Sequence, residues 1–274
     1  MTDTTALARP RLNTRLTITV LSSLLLFVAF FLLPGTVARV WSSADGITTG
    51  NLAEKVGAAF SQWWLSAAAP LSPSMEAVVT FWEVFHVTKA VVAVALVIAL
   101  LLTGEQVWRA YARTSGRASR AGIAVAGIVG APLAPLMLLI VVANIAGAIA
   151  PLSSVMGLLP KDGSVPEVAQ VLEQFAGGTT TPVLEALVSD FRVSHLVVVV
   201  AATIVAVIVV FADIALWIRW SRMPREEFLL RRVTATVAVV LPALAPLFLL
   251  LALINLSTVL DTAPALAAFY EGSF

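Results

Sequence analysis

The amino-acid sequence predicts an all-α integral membrane protein with five transmembrane helices, and three observations lead to this prediction. The chain of 274 residues is 59% hydrophobic and 12% charged, whereas a typical soluble domain carries roughly twice that charged fraction. Five apolar stretches reach the length of about 20 residues that a helix needs to cross a bilayer core. They cover 16–33, 84–102, 122–149, 196–218 and 233–256. The third observation is an internal repeat.

The repeat joins spans 2 and 3 into one unit and spans 4 and 5 into another. The two histidines of the chain, His86 and His195, lie 109 positions apart (195 − 86). The same offset aligns Pro73 with Pro182, Glu76 with Glu185, Trp108 with Trp217 and Arg113 with Arg222, and an offset of 111 aligns Arg120 with Arg231 and Asn144 with Asn255. Because both units enter the membrane in the same direction, the sequence predicts a tandem parallel repeat about a pseudo-twofold axis along the membrane normal.

Basic residues predict the orientation of the chain in the membrane. They cluster before span 1 and in the loops after spans 2 and 4: Arg9, Arg11 and Arg15; Arg109, Arg113, Arg117 and Arg120; Arg219, Arg222, Arg225, Arg231 and Arg232. Cytoplasmic loops of membrane proteins carry an excess of Lys and Arg. We therefore expect a multi-pass protein of the plasma (inner) membrane, with the N-terminus in the cytoplasm and the C-terminus outside.

The chain divides into four segments on this basis. Residues 1–41 form a cytosolic tail and span 1, 42–151 form repeat 1, 152–260 form repeat 2, and 261–274 form an outer C-terminal tail. Span 1 could also be a cleaved signal peptide, with small residues at Thr36 and Ala38. The apolar run is long for that purpose, and Arg39 would follow the cut, so a membrane anchor is favoured.

Each repeat is expected to contain a helical hairpin outside the membrane. Ser72-Pro73 and Thr181-Pro182 are typical helix starts, with a capping hydroxyl and a proline at the first helical position. The helices that follow contain no early breaker and should run about 40 residues, so two to three turns project beyond the bilayer. Shorter helices are expected over 52–64 and 165–175, where Trp63 and Trp64 would contact lipid headgroups.

Prolines interrupt the ascending spans. Pro132 and Pro135 lie in span 3, and Pro242 and Pro246 lie in span 5. Proline removes a backbone donor and kinks a helix, and in lipid the freed carbonyl needs a neighbouring partner. We therefore expect kinks at these four positions and expect this level of the helices to lie inside the bundle.

The candidate functional residues form an outer polar layer. His86 and His195 lie near the outer ends of the descending helices, and Asn144 and Asn255 are predicted at a similar depth. Polar groups at membrane depth are candidates for function, and histidine can relay protons. The structural alternative is that each side chain hydrogen-bonds a neighbouring helix. Two histidines without a third ligand do not complete a zinc site, so no metal is predicted.

Four charged residues are secondary candidates. Lys89 lies one turn after His86 and has Val198 as its counterpart; snorkelling to the interface is its ordinary explanation. Asp213 stands among apolar residues near the inner end of span 4, where it could pair with a loop arginine. Glu76 and Glu185 lie in first helical turns, where the helix dipole favours a carboxylate.

Enzyme and cofactor motifs are absent from the sequence. The chain has no cysteine, no phosphate-binding glycine loop, no His-Glu-x-x-His and no Gly-x-Ser-x-Gly. The sequence therefore favours a non-enzymatic protein with no catalytic residue and no cofactor. The arginine loops are explained by topology, so we expect the lipid bilayer and other membrane proteins or a second copy as partners, and no nucleic acid.

Two functions remain open, with a third behind them. The first is an accessory or scaffold subunit of a larger envelope complex, which docks through Trp63, Trp64 and Phe175. The second is a small oligomeric permease or channel with a solvated cavity lined by His86, Asn144, His195 and Asn255. The third is a lipid-processing enzyme that pairs a histidine of one copy with Glu76 or Glu185 of the other.

Overall fold

The computed structural model of the protein describes residues 14–42, 44–160 and 163–272, and this part of the chain is α-helical without strands. Arg9 and Arg11 of the predicted cytosolic tail lie outside the described residues. Five helical segments are long and apolar enough to cross a membrane, which confirms the predicted number of spans. They are Thr14–Trp41, Pro73–Arg113, Arg117–Ile149, Pro182–Arg222 and Phe228–Leu260.

Eleven α-helices and one short 3₁₀ turn make up the described chain. In chain order they are α1 (Thr14–Trp41), α2 (Leu52–Ser66), α3 (Pro73–Arg113), α4 (Arg117–Gly130), α5 (Leu133–Ile149), α6 (Pro151–Met156), α7 (Glu167–Gly177), α8 (Pro182–Arg222), α9 (Phe228–Val240), the 3₁₀ turn (Leu241–Ala243), α10 (Leu244–Leu260) and α11 (Thr262–Glu271).

The two long helices begin where the sequence predicts them. The Ser72 hydroxyl accepts a hydrogen bond from the Met75 N–H at the start of α3, and the Thr181 hydroxyl accepts one from the Leu184 N–H at the start of α8. A proline occupies the first turn in both cases. Each helix is 41 residues long, or roughly 60 Å at 1.5 Å per residue, so each exceeds the thickness of a bilayer core.

The prolines break the ascending spans at corresponding places. In span 3, α4 ends at Gly130 and α5 begins at Leu133; in span 5, the 3₁₀ turn separates α9 from α10. Pro132, Pro242 and Pro246 are nevertheless exposed in the single chain, and Pro135 is half-buried. The expectation that this level lies inside the bundle is therefore wrong for the chain alone. Backbone hydrogen bonds persist next to the first break, where the Ala131 N–H donates to the Gly127 carbonyl.

A compact hydrophobic cluster occupies the end of the bundle opposite the arginine loops. We call it the cap; it comprises α2, α6, α7 and α11 with the end of α1 and the first turns of α3 and α8. Phe60, Trp63, Met75 and Phe81 are fully buried in it. The cap is therefore one packed body to which the end of α1, both repeats and α11 contribute.

Three expectations about the cap region need correction. Trp63 is fully buried and Trp64 is 6% exposed, so neither lies at a lipid surface. Their indole N–H groups are held within the chain, that of Trp63 by the carbonyls of Ala68 and Pro70 and that of Trp64 by Gln170. Most of the expected outer tail is helical, because residues 262–271 form α11, which packs on α7 and α8.

Below the cap, the spanning helices pack in two groups. Phe30 of α1, Ala93 and Leu96 of α3 and Met137 of α5 form one cluster. A second cluster joins α5, α8 and α10. Helix α5 belongs to both clusters, since Met137 packs in the first and Val142 in the second. It therefore connects the first three spans to the last two.

Candidate functional site

His86 and Asn144 join α3 to α5 by a direct hydrogen bond. The distance from His86 Nδ1 to Asn144 Oδ1 is 2.9 Å, and Asn144 Nδ2 donates to the Ile140 carbonyl at 2.7 Å. Asn144 is 5% exposed. The Asn144 side chain therefore forms hydrogen bonds to the His86 imidazole and to a backbone carbonyl of its own helix at the same time.

His195 and Asn255 repeat this arrangement between α8 and α10. The distance from His195 Nδ1 to Asn255 Oδ1 is 2.7 Å, and Asn255 Nδ2 donates to the Leu251 carbonyl at 2.8 Å. The structure therefore joins the four predicted polar residues in two pairs, one in each half of the chain. The two asparagines occupy the positions that the 111-residue offset aligns, on α5 and α10.

The asparagines determine which ring nitrogen of each histidine carries the proton. An amide N–H₂ donates and an amide oxygen accepts. Because Nδ2 of Asn144 faces the Ile140 carbonyl, Oδ1 faces the imidazole, and the reverse orientation would place two oxygens against each other. His86 Nδ1 is therefore the donor, and Nε2 of the neutral ring is an acceptor. The same argument gives His195 the same tautomer.

The surroundings of the two histidines differ. A Cβ placed on Gly147 would lie 2.8 Å from three ring atoms of His86, so glycine makes room for this imidazole. The Ser154 hydroxyl lies 3.1 Å from His86 Nε2, and the Trp82 indole N–H donates to the same hydroxyl at 3.0 Å. In the second half, the aligned residues are Thr258 for Gly147, Ala265 for Ser154 and Phe191 for Trp82.

Lys89 lies between two aromatic rings. Its Nζ is 4.9 Å from the ring centre of Phe30 on α1 and 5.2 Å from that of Phe85 on α3. Aromatic faces attract a cation, particularly where water is scarce. Lys89 therefore contributes to the contact between α1 and α3, a role that the sequence did not predict.

The remaining charged candidates are separate from the histidines or unpaired. Asp213 Oδ1 is buried and has no hydrogen-bonding partner among the described residues, so the expected arginine pairing is not made. Glu76 and Glu185 are exposed in their first helical turns. Near the other end of the bundle, Glu105 contacts Arg109 at 2.8 Å and Arg219 of α8 at 3.3 Å.

Sequence reasoning missed Ser154, Trp82 and Asp190 at the site. Ser154 belongs to the short helix α6, and the Asp190 carboxylate accepts a hydrogen bond from the neighbouring Ser153 N–H at 2.6 Å. One pattern could have pointed to Ser154. A serine pair follows Pro151, a few residues after Asn144, in an otherwise apolar region.

Two cavities near the arginine end of the bundle lie apart from the histidine pairs. One cavity of about 500 Å³ lies near the arginine loops, and its lining includes Arg109, Arg113, Arg219, Glu226 and Glu227. A second, of similar volume, lies beside it around Arg222 and Pro224. Across the described ranges, no group of three or more His, Asp or Glu side chains converges to hold a metal ion.

Comparison with known proteins adds no family to these observations. No family model, no curated protein and no solved structure matches this chain. The function must therefore be argued from the arrangement of its own residues.

Proposed function

We propose that this protein is an accessory or scaffold subunit of a larger complex in the plasma membrane of a bacterium. In this proposal the N-terminus and the arginine loops are cytoplasmic, and the cap lies outside. The cap is the observation that carries the proposal. It is a packed body formed by α2, α6, α7 and α11 with the end of α1 and the first turns of α3 and α8, and in this proposal it supplies an ordered outer surface for a partner.

The proposal includes the tandem parallel repeat, and three sets of paired contacts support it. The His–Asn bonds recur at aligned positions. Arg120 bonds the Thr114 carbonyl and Arg231 the Met223 carbonyl, again at corresponding places after α3 and α8. Each of these arginines also lies over an aromatic ring of the preceding helix, Tyr111 for Arg120 and Trp220 for Arg231. Chance matches of apolar residues would not reproduce such contacts.

The docking surface differs from the one expected from sequence. Trp63 and Trp64 are buried within the chain, which counts against their expected role in docking, and Phe175 is partly buried against the cap. Leu65 of α2 is 70% exposed and is an apolar residue of the cap that a partner can reach. We place the contact with the partner at this face of α2.

The transporter alternative has less support. It requires a solvated cavity lined by both histidines and both asparagines. The side chains of these residues bond each other in pairs, and the two cavities near the arginine loops lie apart from them. We therefore keep it as the other outcome of the experiment.

The test is purification of the tagged protein from its native membrane in a mild detergent, with mass spectrometry of what accompanies it. Because the chain has no cysteine, a Leu65→Cys variant can carry a photo-crosslinker at the cap alone. We expect a stoichiometric partner, and we expect the same partner in the crosslink from position 65. Ser119→Cys, an exposed position in α4 beside the arginine loop, is the matched control and should not capture it.

Two results would overturn the proposal. One is a protein that purifies alone as a homo-oligomer and gives solute flux in vesicles, which would favour the channel or permease. The other is a partner captured equally from positions 65 and 119, because a specific cap contact predicts a difference between them.

A further inference from the structure

A continuous chain of hydrogen bonds in the first half links four side chains in one direction. The Trp82 indole N–H can only donate, so the Ser154 oxygen accepts from it at 3.0 Å. Since His86 Nδ1 donates to Asn144, Nε2 is left as an acceptor, and the Ser154 hydroxyl donates to it at 3.1 Å. Asn144 Nδ2 completes the chain on the Ile140 carbonyl.

This order of groups has the geometry of an activated nucleophile. A serine hydroxyl within about 3.2 Å of an imidazole nitrogen, with the other ring nitrogen held by an amide or carboxylate, is the arrangement that hydrolases use on unrelated folds. Gly147 leaves no side chain against the ring, so the imidazole can take this position. Asn144 is 5% exposed and holds the ring without access to bulk water.

The second half of the chain offers a comparison within the same molecule. His195 keeps its asparagine at 2.7 Å, but the position aligned with Ser154 is Ala265. The His–Asn bond between two helices therefore occurs in the second half without a serine at the position aligned with Ser154. The serine and the indole donor are additional features of the first half, and they need a separate explanation.

We propose that Ser154 is the nucleophile of an acyl-transfer site, with His86 as its general base and Asn144 as the residue that positions His86. This activity goes beyond the accessory role proposed above and does not depend on it. It also corrects the enzyme alternative from the sequence, since Glu76 and Glu185 are exposed in the first turns of their helices and the chemistry is assigned to a single repeat.

The reaction balances with water as the second substrate. Ser154 Oγ attacks the carbonyl carbon of a carboxylic ester while its proton passes to His86 Nε2. The bond from carbon to the alcohol oxygen breaks, and the alcohol leaves with that proton. Water then attacks the acyl-serine and gives a proton to His86 Nε2. The bond from the acyl carbon to Ser154 Oγ breaks, His86 returns that proton to Oγ, and a carboxylic acid is released. The Trp82 N–H, 3.0 Å from Ser154 Oγ, orients the hydroxyl toward His86.

The surroundings point to an ester with an apolar acyl chain that enters from the bilayer. The histidine lies on a membrane-spanning helix, and its ring is flanked by the aromatic rings of Trp82 and Phe85 at centroid distances of 4.6 and 5.7 Å. Val87 next to it is 46% exposed, and Ile149 on α5 is 57% exposed. These side chains face lipid, so an acyl-lipid ester is the substrate class.

The test is labelling of the full-length protein, in detergent and in vesicles, by an alkyl fluorophosphonate that transfers its phosphonyl group to an activated serine with loss of fluoride. We expect one adduct, mapped by mass spectrometry to Ser154, and faster labelling by a long-chain probe than by a short-chain one. Ser154→Ala should abolish labelling, and His86→Gln should slow it at least about 100-fold, the usual contribution of a general base. His195→Gln is the matched control and should leave the rate unchanged.

A second variant tests the site without relying on the stability of His86→Gln. Ser154→Cys introduces the only thiol of the chain, and an adjacent imidazole should make it react with iodoacetamide much faster than Leu65→Cys. The proposal is overturned if the folded wild-type protein takes no label at Ser154, if His86→Gln and His195→Gln label at equal rates, or if the thiol at 154 reacts no faster than the one at 65.

Discussion

Histidine–asparagine pairs show how a small membrane protein accommodates polar side chains at helix contacts. An unpaired donor in hydrocarbon costs several kcal/mol, so a polar side chain there needs a partner on its own or a neighbouring helix. Asn144 and Asn255 each serve two groups, an imidazole on another helix and a carbonyl on their own. One amide therefore fixes both the contact and the tautomer of the histidine.

Replacement of the two asparagines should have unequal effects. We expect Asn144→Ala to cost about 1.5 kcal/mol and Asn255→Ala about half of that, since interhelical bonds in membranes contribute about 0.6 kcal/mol on average and at most about 1.7. Asn144 is 5% exposed, whereas Asn255 is only half-buried, so the imidazole of His86 has less access to water as a substitute partner. Thermal unfolding of the two variants in the same detergent measures the difference. An equal or larger loss at Asn255 would contradict this account.

Sequence reasoning identified these four residues but not their full surroundings. Histidine and asparagine stand out because they are rare in apolar spans and recur at one offset. Ser154 does not stand out, because serine is common in membrane helices and at their ends. Its position against His86 depends on α6 folding back beside α3, which is a tertiary contact that no local pattern encodes.

At the scale of helices, the capping residues determine where the two long spans begin. The hydroxyls of Ser72 and Thr181 each accept a bond from the backbone N–H three residues later, with proline in the first turn. Four N–H groups at a helix start lack an intrahelical partner, and these side chains satisfy one of them. The two starts are equivalent in chemistry and lie in different halves of the chain.

Removal of either cap should destabilise the protein by a similar amount. We expect Ser72→Ala and Thr181→Ala each to lower the free energy of unfolding by about 1 kcal/mol, the usual cost of losing an N-cap. Because the sites are independent, the double variant should lose close to the sum. Ser119→Ala, at an exposed position within α4, is the control and should have little effect. A double variant no less stable than the singles would show that the two caps do not act separately.

The long helices, their breaks and the short helices α2 and α7 could be predicted from sequence, whereas the short helices α6 and α11 could not. Capping residues, proline and apolar runs are local features and gave α3, α8 and the breaks at Pro132 and Pro242. Helices α6 and α11 follow similar backbone bends, at Ala150 (φ −124°, ψ 68°) and Asp261 (φ −133°, ψ 64°). A helix of 6 residues such as α6 is not stable by itself, so packing in the cap is what forms it.

At the scale of the whole molecule, the cap changes what the spanning helices expose. Buried aromatic side chains are concentrated in the cap, including Phe60, Trp63 and Phe81. The apolar residues of α1 remain exposed, among them Leu25 at 71% and Leu32 at 65%. A bilayer supplies the environment that such a surface needs. One end of the molecule therefore has a buried hydrophobic core like that of a soluble domain, and the other end is a bundle whose apolar surface suits lipid.

The distribution of charge predicts which end faces the cytoplasm. Most of the arginines lie at the α3–α4 and α8–α9 connections and in the helix ends that flank them, and the cap end carries few, so the positive-inside rule predicts that the cap lies outside. The chain has no cysteine, which allows single thiols to report on each side. In sealed cells, we expect a membrane-impermeant maleimide to label Ala69→Cys and Ala176→Cys in the cap and to leave Ser119→Cys and Ser221→Cys unlabelled until the membrane is opened. All four positions are exposed, so folding does not hide them. The opposite labelling pattern would mean that the cap faces the cytoplasm. The docking face of α2 and the Ser154 site would then lie on the cytoplasmic side.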